Sequence, residues 1–222
     1  MSVPRARLRA VAVAVAVAAA FLLGACSQDG GAAGTLVGPG SGTDRTGVST
    51  SVPTVTGGRS APAVAPCPAS AASVAPVRGG LPDMTFACLE PGKGPARVRL
   101  AGLRGRPLVL NLWATWCTFC RDELPVMAQG ARAAHGRVAF LGLDAEDSIA
   151  GAQGLAAAER LPYNSVVDPD GVTKPALYWA TGLPVTVFVA ADGRQAGHHI
   201  GPIADERQLA GLVKQYLGVD IG

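Results

Sequence analysis

The sequence predicts an α/β fold with a mixed central sheet flanked by helices on both faces, and three observations predict it. Pro107–Trp113 and Arg137–Leu143 are nearly continuous apolar runs, as expected of strands buried on both faces. Each is followed by a stretch of helical character. The last third carries two β-rich runs around the turn Asp192-Gly193, the signature of an antiparallel hairpin. Parallel and antiparallel connections therefore meet in one sheet with three layers.

Taken in order, Met84–Leu89 and Ala96–Leu100 read as an N-terminal β-hairpin across the turn Pro91-Gly92-Lys93-Gly94. The strand Pro107–Trp113 leads into a helix from about Cys117 to about His135. After the strand Arg137–Leu143, a helix over Ser148–Arg160 and a short strand over Tyr163–Val167 form a central βα insertion. Leu177–Ala180 is expected to close a small helix. Val185–Ala190 and Gln195–Ile200 form the hairpin, and Asp205 caps a last helix running to Leu217.

The folded domain is expected over residues 67–222, behind two segments of different character. Arg5, Arg7 and Arg9 precede an apolar run from Ala10 to Leu23. At about 14 residues this run is short of the roughly 20 a membrane-spanning helix needs, and it suits the core of a signal peptide over residues 1–25. Leu23-Gly24-Ala25-Cys26 resembles the bacterial lipobox. That resemblance implies cleavage before Cys26 and attachment of lipid to its sulfur. Residues 26–66 are rich in Gly, Ser, Thr and Pro, with only Asp29, Asp44, Arg45 and Arg59 charged. Such a stretch buries too little apolar surface to offset its ordering entropy. It reads as a flexible tether with a span of roughly 35 Å.

Charge excludes one class of partner. Without the three leader arginines the chain carries sixteen basic and sixteen acidic side chains. No basic tract remains to neutralise phosphates, so no nucleic-acid partner is expected.

The chemistry concentrates in Trp116-Cys117-Thr118-Phe119-Cys120, where a buried strand turns into a helix. A sulfur at a helix N-terminus meets unpaired N–H groups and the positive end of the dipole, which favour its thiolate. Only the thiolate attacks disulfides. Cys120, three residues on, faces the same way one turn later. Cys117 is therefore the expected exposed attacking sulfur and Cys120 the shielded resolving one. Zinc would need four ligands, and no second CxxC exists. His198 and His199 are adjacent on a strand and point to opposite faces. Neither a metal nor any cofactor beyond the redox-active pair is expected.

Asn111-Leu112-Trp113-Ala114-Thr115-Trp116-Cys117, with Cys120, Glu123-Leu124-Pro125 and Gly182-Leu183-Pro184-Val185-Thr186, resembles the thioredoxin superfamily. Within it the chain looks like the TlpA/ResA/DsbE group of membrane-anchored extracytoplasmic thiol:disulfide oxidoreductases, over about Leu81 to Leu217. The resemblance implies a thioredoxin fold and a cis-proline at Pro184 beside the cysteine pair. It also implies that the backbone of Leu183 pairs with substrate, so Trp116, Leu183 and Pro184 are the candidate substrate-binding residues. Glu123 matches an acidic residue near the active site of ResA-like members, a candidate proton relay to Cys120. The bland reading of Glu123 is a solvated helix-surface residue like Arg121 and Asp122. Two departures stand out. Thioredoxins carry a buried aspartate where this chain has Asn111, and many relatives have proline where it has Phe119.

Cys67 and Cys88 remain. In an exported domain two spare cysteines favour a structural disulfide; a second redox pair is the alternative.

The function this supports is an exported, membrane-tethered oxidoreductase acting on extracytoplasmic thiol and disulfide proteins with a membrane redox partner, cytochrome c maturation among its settings. It would work on the extracytoplasmic face of a bacterial membrane. A Dsb-like oxidase, a thiol peroxidase of the same fold and a non-enzymatic peptide-capture module stay open as alternatives.

Overall fold

The computed structural model describes residues 64–92 and 94–222. The expected signal peptide, Cys26 and the tether up to residue 63 lie outside the described residues. Among those described, no helix is long and apolar enough to cross a membrane.

Seven strands form one sheet in the order β2-β1-β5-β4-β3-β6-β7. β1 (Thr85–Cys88) and β2 (Arg97–Arg99) form the antiparallel N-terminal hairpin. β3 (Leu108–Trp113) is central, parallel to β4 (Ala139–Ala145) and antiparallel to β6 (Val185–Val189). β5 (Ser165–Asp168) extends the parallel set and joins it to β1, while β7 (Gln195–Ile200) closes the other edge. Every residue of β3 is buried, as the unbroken apolar run requires, whereas β7 alternates half-buried and exposed residues as an edge strand does.

Among the described residues three α-helices complete the fold: α1 (Thr118–Ala133), α2 (Ile149–Ala158) and α3 (Glu206–Leu217). Their buried residues, Leu124, Met127, Ala152, Ala156, Leu209 and Val213 among them, share one cluster with Val109 and Trp113 of β3. The alternate residues Leu108, Leu110 and Leu112 enter a second cluster on the opposite face of the sheet. Among the described residues the helical cover on that second face is a single 3-10 turn, Leu100–Gly102. Leu177 and Trp179 also pack there, but the small helix expected over Leu177–Ala180 is a run of turns. The Asp168 carboxylate captures the N–H groups of Val172 and Thr173 together with the Thr173 hydroxyl, and Pro175 has no N–H to continue a helix.

The topology fixes where chemistry can occur. Leu112 of β3 lies opposite Val185 of β6, and Trp113 lies beside Asp144 of β4. The segments just beyond Trp113, just before Val185 and just after Ala145 therefore meet at one end of the sheet.

Candidate active site

β3 ends at Trp113, and the chain turns through Ala114-Thr115-Trp116 into α1. Cys117 is the N-cap of that helix in extended conformation, and its sulfur accepts the backbone N–H of Cys120 at 3.1 Å. A side-chain acceptor placed there satisfies one of the orphan donors of a helix start. The Cys117 and Cys120 sulfurs are bonded at 2.09 Å, with Cα atoms 5.3 Å apart. Cys117 is 6% exposed and Cys120 1%. The contrast between them has the expected direction, but Cys117 is far more covered than the exposed sulfur that the sequence suggested. Both belong to the apolar cluster beneath α1, against which Leu183 also packs.

Around this mostly covered disulfide the surface is aromatic. Trp116 is 55% exposed and Phe119 61%. The Trp116 indole N–H donates to the Glu146 carbonyl, which steadies the ring across the turn. The Leu183–Pro184 peptide is cis, and the pairing of β6 with β3 brings it to the same end of the sheet as Cys117.

Glu123 is not a surface residue. It is 1% exposed, where Arg121 and Asp122 are exposed. Its Oε1 accepts from Asn111 Nδ2 at 2.6 Å and its Oε2 from the Ile203 N–H at 2.7 Å. Burial pushes its carboxyl up from 4.5 to about 7, against the two hydrogen bonds, which favour the charged form. Glu123 therefore exchanges its proton near neutrality. It lies one turn beyond Cys120 on the sheet-facing side of α1.

The role of Asn111 was not legible as a partnership. Its amide also faces Thr186 Oγ1 at 3.4 Å, opposite it in the β3–β6 register, so strand, strand and helix share one buried polar group. The available signal was a lone polar residue inside a fully apolar strand, because a buried amide requires partners.

The turn before Cys117 is held by a loop that sequence reasoning missed. Asp147 accepts the Thr115 N–H at 2.5 Å, the Thr115 hydroxyl at 2.7 Å and the Ser148 N–H at 2.7 Å. Cys67 and Cys88 lie away from this site in the second cluster, with their sulfurs bonded at 2.10 Å. Among the described residues no group of His, Cys, Asp and Glu could hold a metal ion.

A disulfide-bonded cysteine pair capping a helix, on a mixed sheet of this order, defines a thioredoxin-fold protein. Residues 80–194, more than half of the chain, match the AhpC/TSA family, and the chain belongs to that family. It is 31% identical over 115 residues to the thiol:disulfide interchange protein CycY of Rhizobium leguminosarum, covering 51% of this chain and 60% of that protein. It is 37% identical over 93 residues to the soluble secreted antigen MPT53 of Mycobacterium tuberculosis, covering 42% of this chain and 53% of the antigen. Against DsbE of Pseudomonas fluorescens the identity is 34% over 111 residues, covering 50% of this chain and 60% of DsbE. The matches thus span little more than half the length of these curated relatives. A secreted disulfide oxidoreductase of M. tuberculosis described as homologous to DsbE superposes with a TM-score of 0.51 at 29% identity, over 60% of this chain and 96% of that one.

Proposed function

We propose that this protein is an exported, membrane-tethered thiol:disulfide oxidoreductase that exchanges disulfides with extracytoplasmic proteins. The observation that carries the reading is the Cys117 sulfur at the N-cap of α1, accepting the Cys120 N–H and bonded to the sulfur one turn deeper. The relatives named thiol:disulfide interchange proteins support it.

The chemistry follows from that placement. In the reduced protein the helix end favours the Cys117 thiolate. The thiolate attacks one sulfur of a substrate disulfide, forming a mixed disulfide and expelling a substrate thiolate that takes up a proton. Cys120 then loses its proton, with Glu123 as the acceptor, and attacks the Cys117 sulfur. The second substrate thiolate leaves, and two electrons have passed from the pair to the substrate. Trp116, Leu183 and Pro184 bound the surface on which the substrate segment lies. Run backwards, the same steps oxidise a substrate dithiol. We assign the reducing direction, on electrons from a membrane partner, with cysteine pairs of exported proteins such as apocytochrome c as substrates. A strongly negative reduction potential of the pair is the expected result; a potential well above the glutathione range would assign the oxidising direction instead.

The peroxidase reading is weaker, because the Thr115 hydroxyl that would orient a peroxide donates to Asp147.

The decisive experiment expresses Cys120→Ala in cells, where Cys117 is left as an unresolved mixed disulfide. Reducible adducts lost in Cys117→Ala are the expected result; no adduct would refute exchange. The anchor is tested separately. Cys26→Ser should move the protein from the membrane fraction to the soluble one.

A further inference from the structure

One buried acid has no part in the exchange steps. Asp144, at the end of β4, is 1% exposed, and its Oδ1 meets no hydrogen-bond donor. It sits in register with Trp113 on one side and Val167 on the other; the one charged residue of those two strands, Asp168 of β5, pairs with Ala145 and has its carboxylate taken by Val172 and Thr173. The residues of α2 are uncharged. On α1, Cys117 and Cys120 are bonded to each other, and Glu123 is taken by Asn111 and Ile203. In the loop that follows β4, Glu146 pairs with Lys174 at 2.7 Å. That leaves Asp147, whose side chain lies within hydrogen-bonding reach of the Asp144 carboxyl and already holds three donors, two of them on Thr115. Two adjacent carboxyl groups cannot both be charged cheaply, and one proton between them converts repulsion into a hydrogen bond.

We propose that Asp144 is a positioning residue for the reactive turn: its protonated carboxyl donates to Asp147, and Asp147 in turn holds Thr115 two residues before Cys117. Proton occupancy of Asp144 thereby sets how firmly the Cys117 turn is held. Burial first, then the Asp147 charge and the hydrogen bond to Asp147, push the Asp144 carboxyl up to about 8. The grip therefore holds below about pH 8 and is released as Asp144 ionises above it. Its consequence for catalysis rests on the exchange function proposed above, but the carboxyl pair itself does not.

The oxidised full-length chain gives a clean test, since bonded cysteines do not titrate. In a Glu123→Gln background, which removes the other buried acid titrating in this range, the Thr115 amide proton resonance and the infrared band of a buried carboxylic acid should both titrate through about pH 8. Both transitions should vanish when Asp144→Asn is added to that background. Exchange with a disulfide model peptide should fall on the order of tenfold in Asp144→Ala as the turn loosens. Asp144→Asn, whose amide donates in the carboxyl's place, should rescue the rate and remove its alkaline decline. Thr115→Val, which deletes one of the two bonds to Asp147 without touching the core, should slow exchange without abolishing the infrared transition. Persistence of either transition in the Glu123→Gln/Asp144→Asn double variant would overturn the proposal. A wild type with no exchange activity would instead refute the functional reading, and the spectroscopic titration would still judge the carboxyl pair.

Discussion

Glu123 illustrates how a single side chain ties local packing to pH. The fold lifts its carboxyl from 4.5 to about 7, so the folded state binds this proton more tightly than the unfolded chain does. The resulting stabilisation is fully present below about 4.5 and is lost as pH rises through about 7. A shift of this size corresponds to about 3 kcal/mol. Asp144 adds a loss of the same sign, from 3.8 up to about 8. Denaturant midpoints of the oxidised protein should therefore fall from acidic to mildly alkaline pH, and Glu123→Gln should flatten the lower part of that fall. The same variant should remove the limb near pH 7 from the rate at which Cys120 resolves a mixed disulfide. An unchanged limb would dissociate Glu123 from the proton transfer. The sequence placed Glu123 near the cysteines by resemblance. It could not reveal the cage around it, since Asn111 and Ile203 come from distant parts of the chain and meet only when β3, α1 and the segment before α3 assemble.

At the scale of elements, legibility followed how locally each one is specified. The β3 run, the Asp192-Gly193 hairpin and the Asp205 cap of α3 are written in adjacent residues, and all three form where expected. The Asp205 carboxylate accepts the Gln208 N–H at 2.8 Å, so Asp205→Ala should cost about 1 kcal/mol in unfolding free energy. The Leu177–Ala180 segment was misread because Asp168, which organises the turns ahead of it, belongs to the preceding strand. The contact between α1 and α3 was equally hidden. Gly130 of α1 is buried in α1, and a Cβ added there would overlap Leu209 of α3. Alanine normally favours a helix, yet Gly130→Ala should destabilise by about 1–3 kcal/mol, since a side chain forced into a packed contact displaces a neighbouring element. Urea denaturation would check the sign. A stabilised variant would mean that Leu209 swings aside freely.

For the whole molecule, the two faces of the sheet are closed differently, and this assigns different work to the two disulfides. The Cys117–Cys120 pair lies in the cluster covered by the helices, where β3, β6 and α1 converge. The Cys67–Cys88 bond lies in the other cluster, where the N-terminal arm and turns replace α-helical cover. It pins that arm to β1 across a sequence separation of 21 residues. The arm is otherwise held by scattered polar contacts, such as Arg99 on the Ala71 and Val74 carbonyls and the Ala71 N–H on the Gly102 carbonyl. In the chain-entropy picture, closing a loop of this length stabilises by about 3 kcal/mol. Both sulfurs are buried, and neither caps a helix that could favour a thiolate. The double variant Cys67→Ala/Cys88→Ala should therefore lower the denaturant midpoint by an amount equivalent to about 3 kcal/mol while leaving the reduction potential and exchange rate of the Cys117 pair in place. A second redox couple would behave in the opposite way. The variant would then lose electron transfer between the pairs, seen as a change in the number of thiols titrated during turnover, with stability little altered.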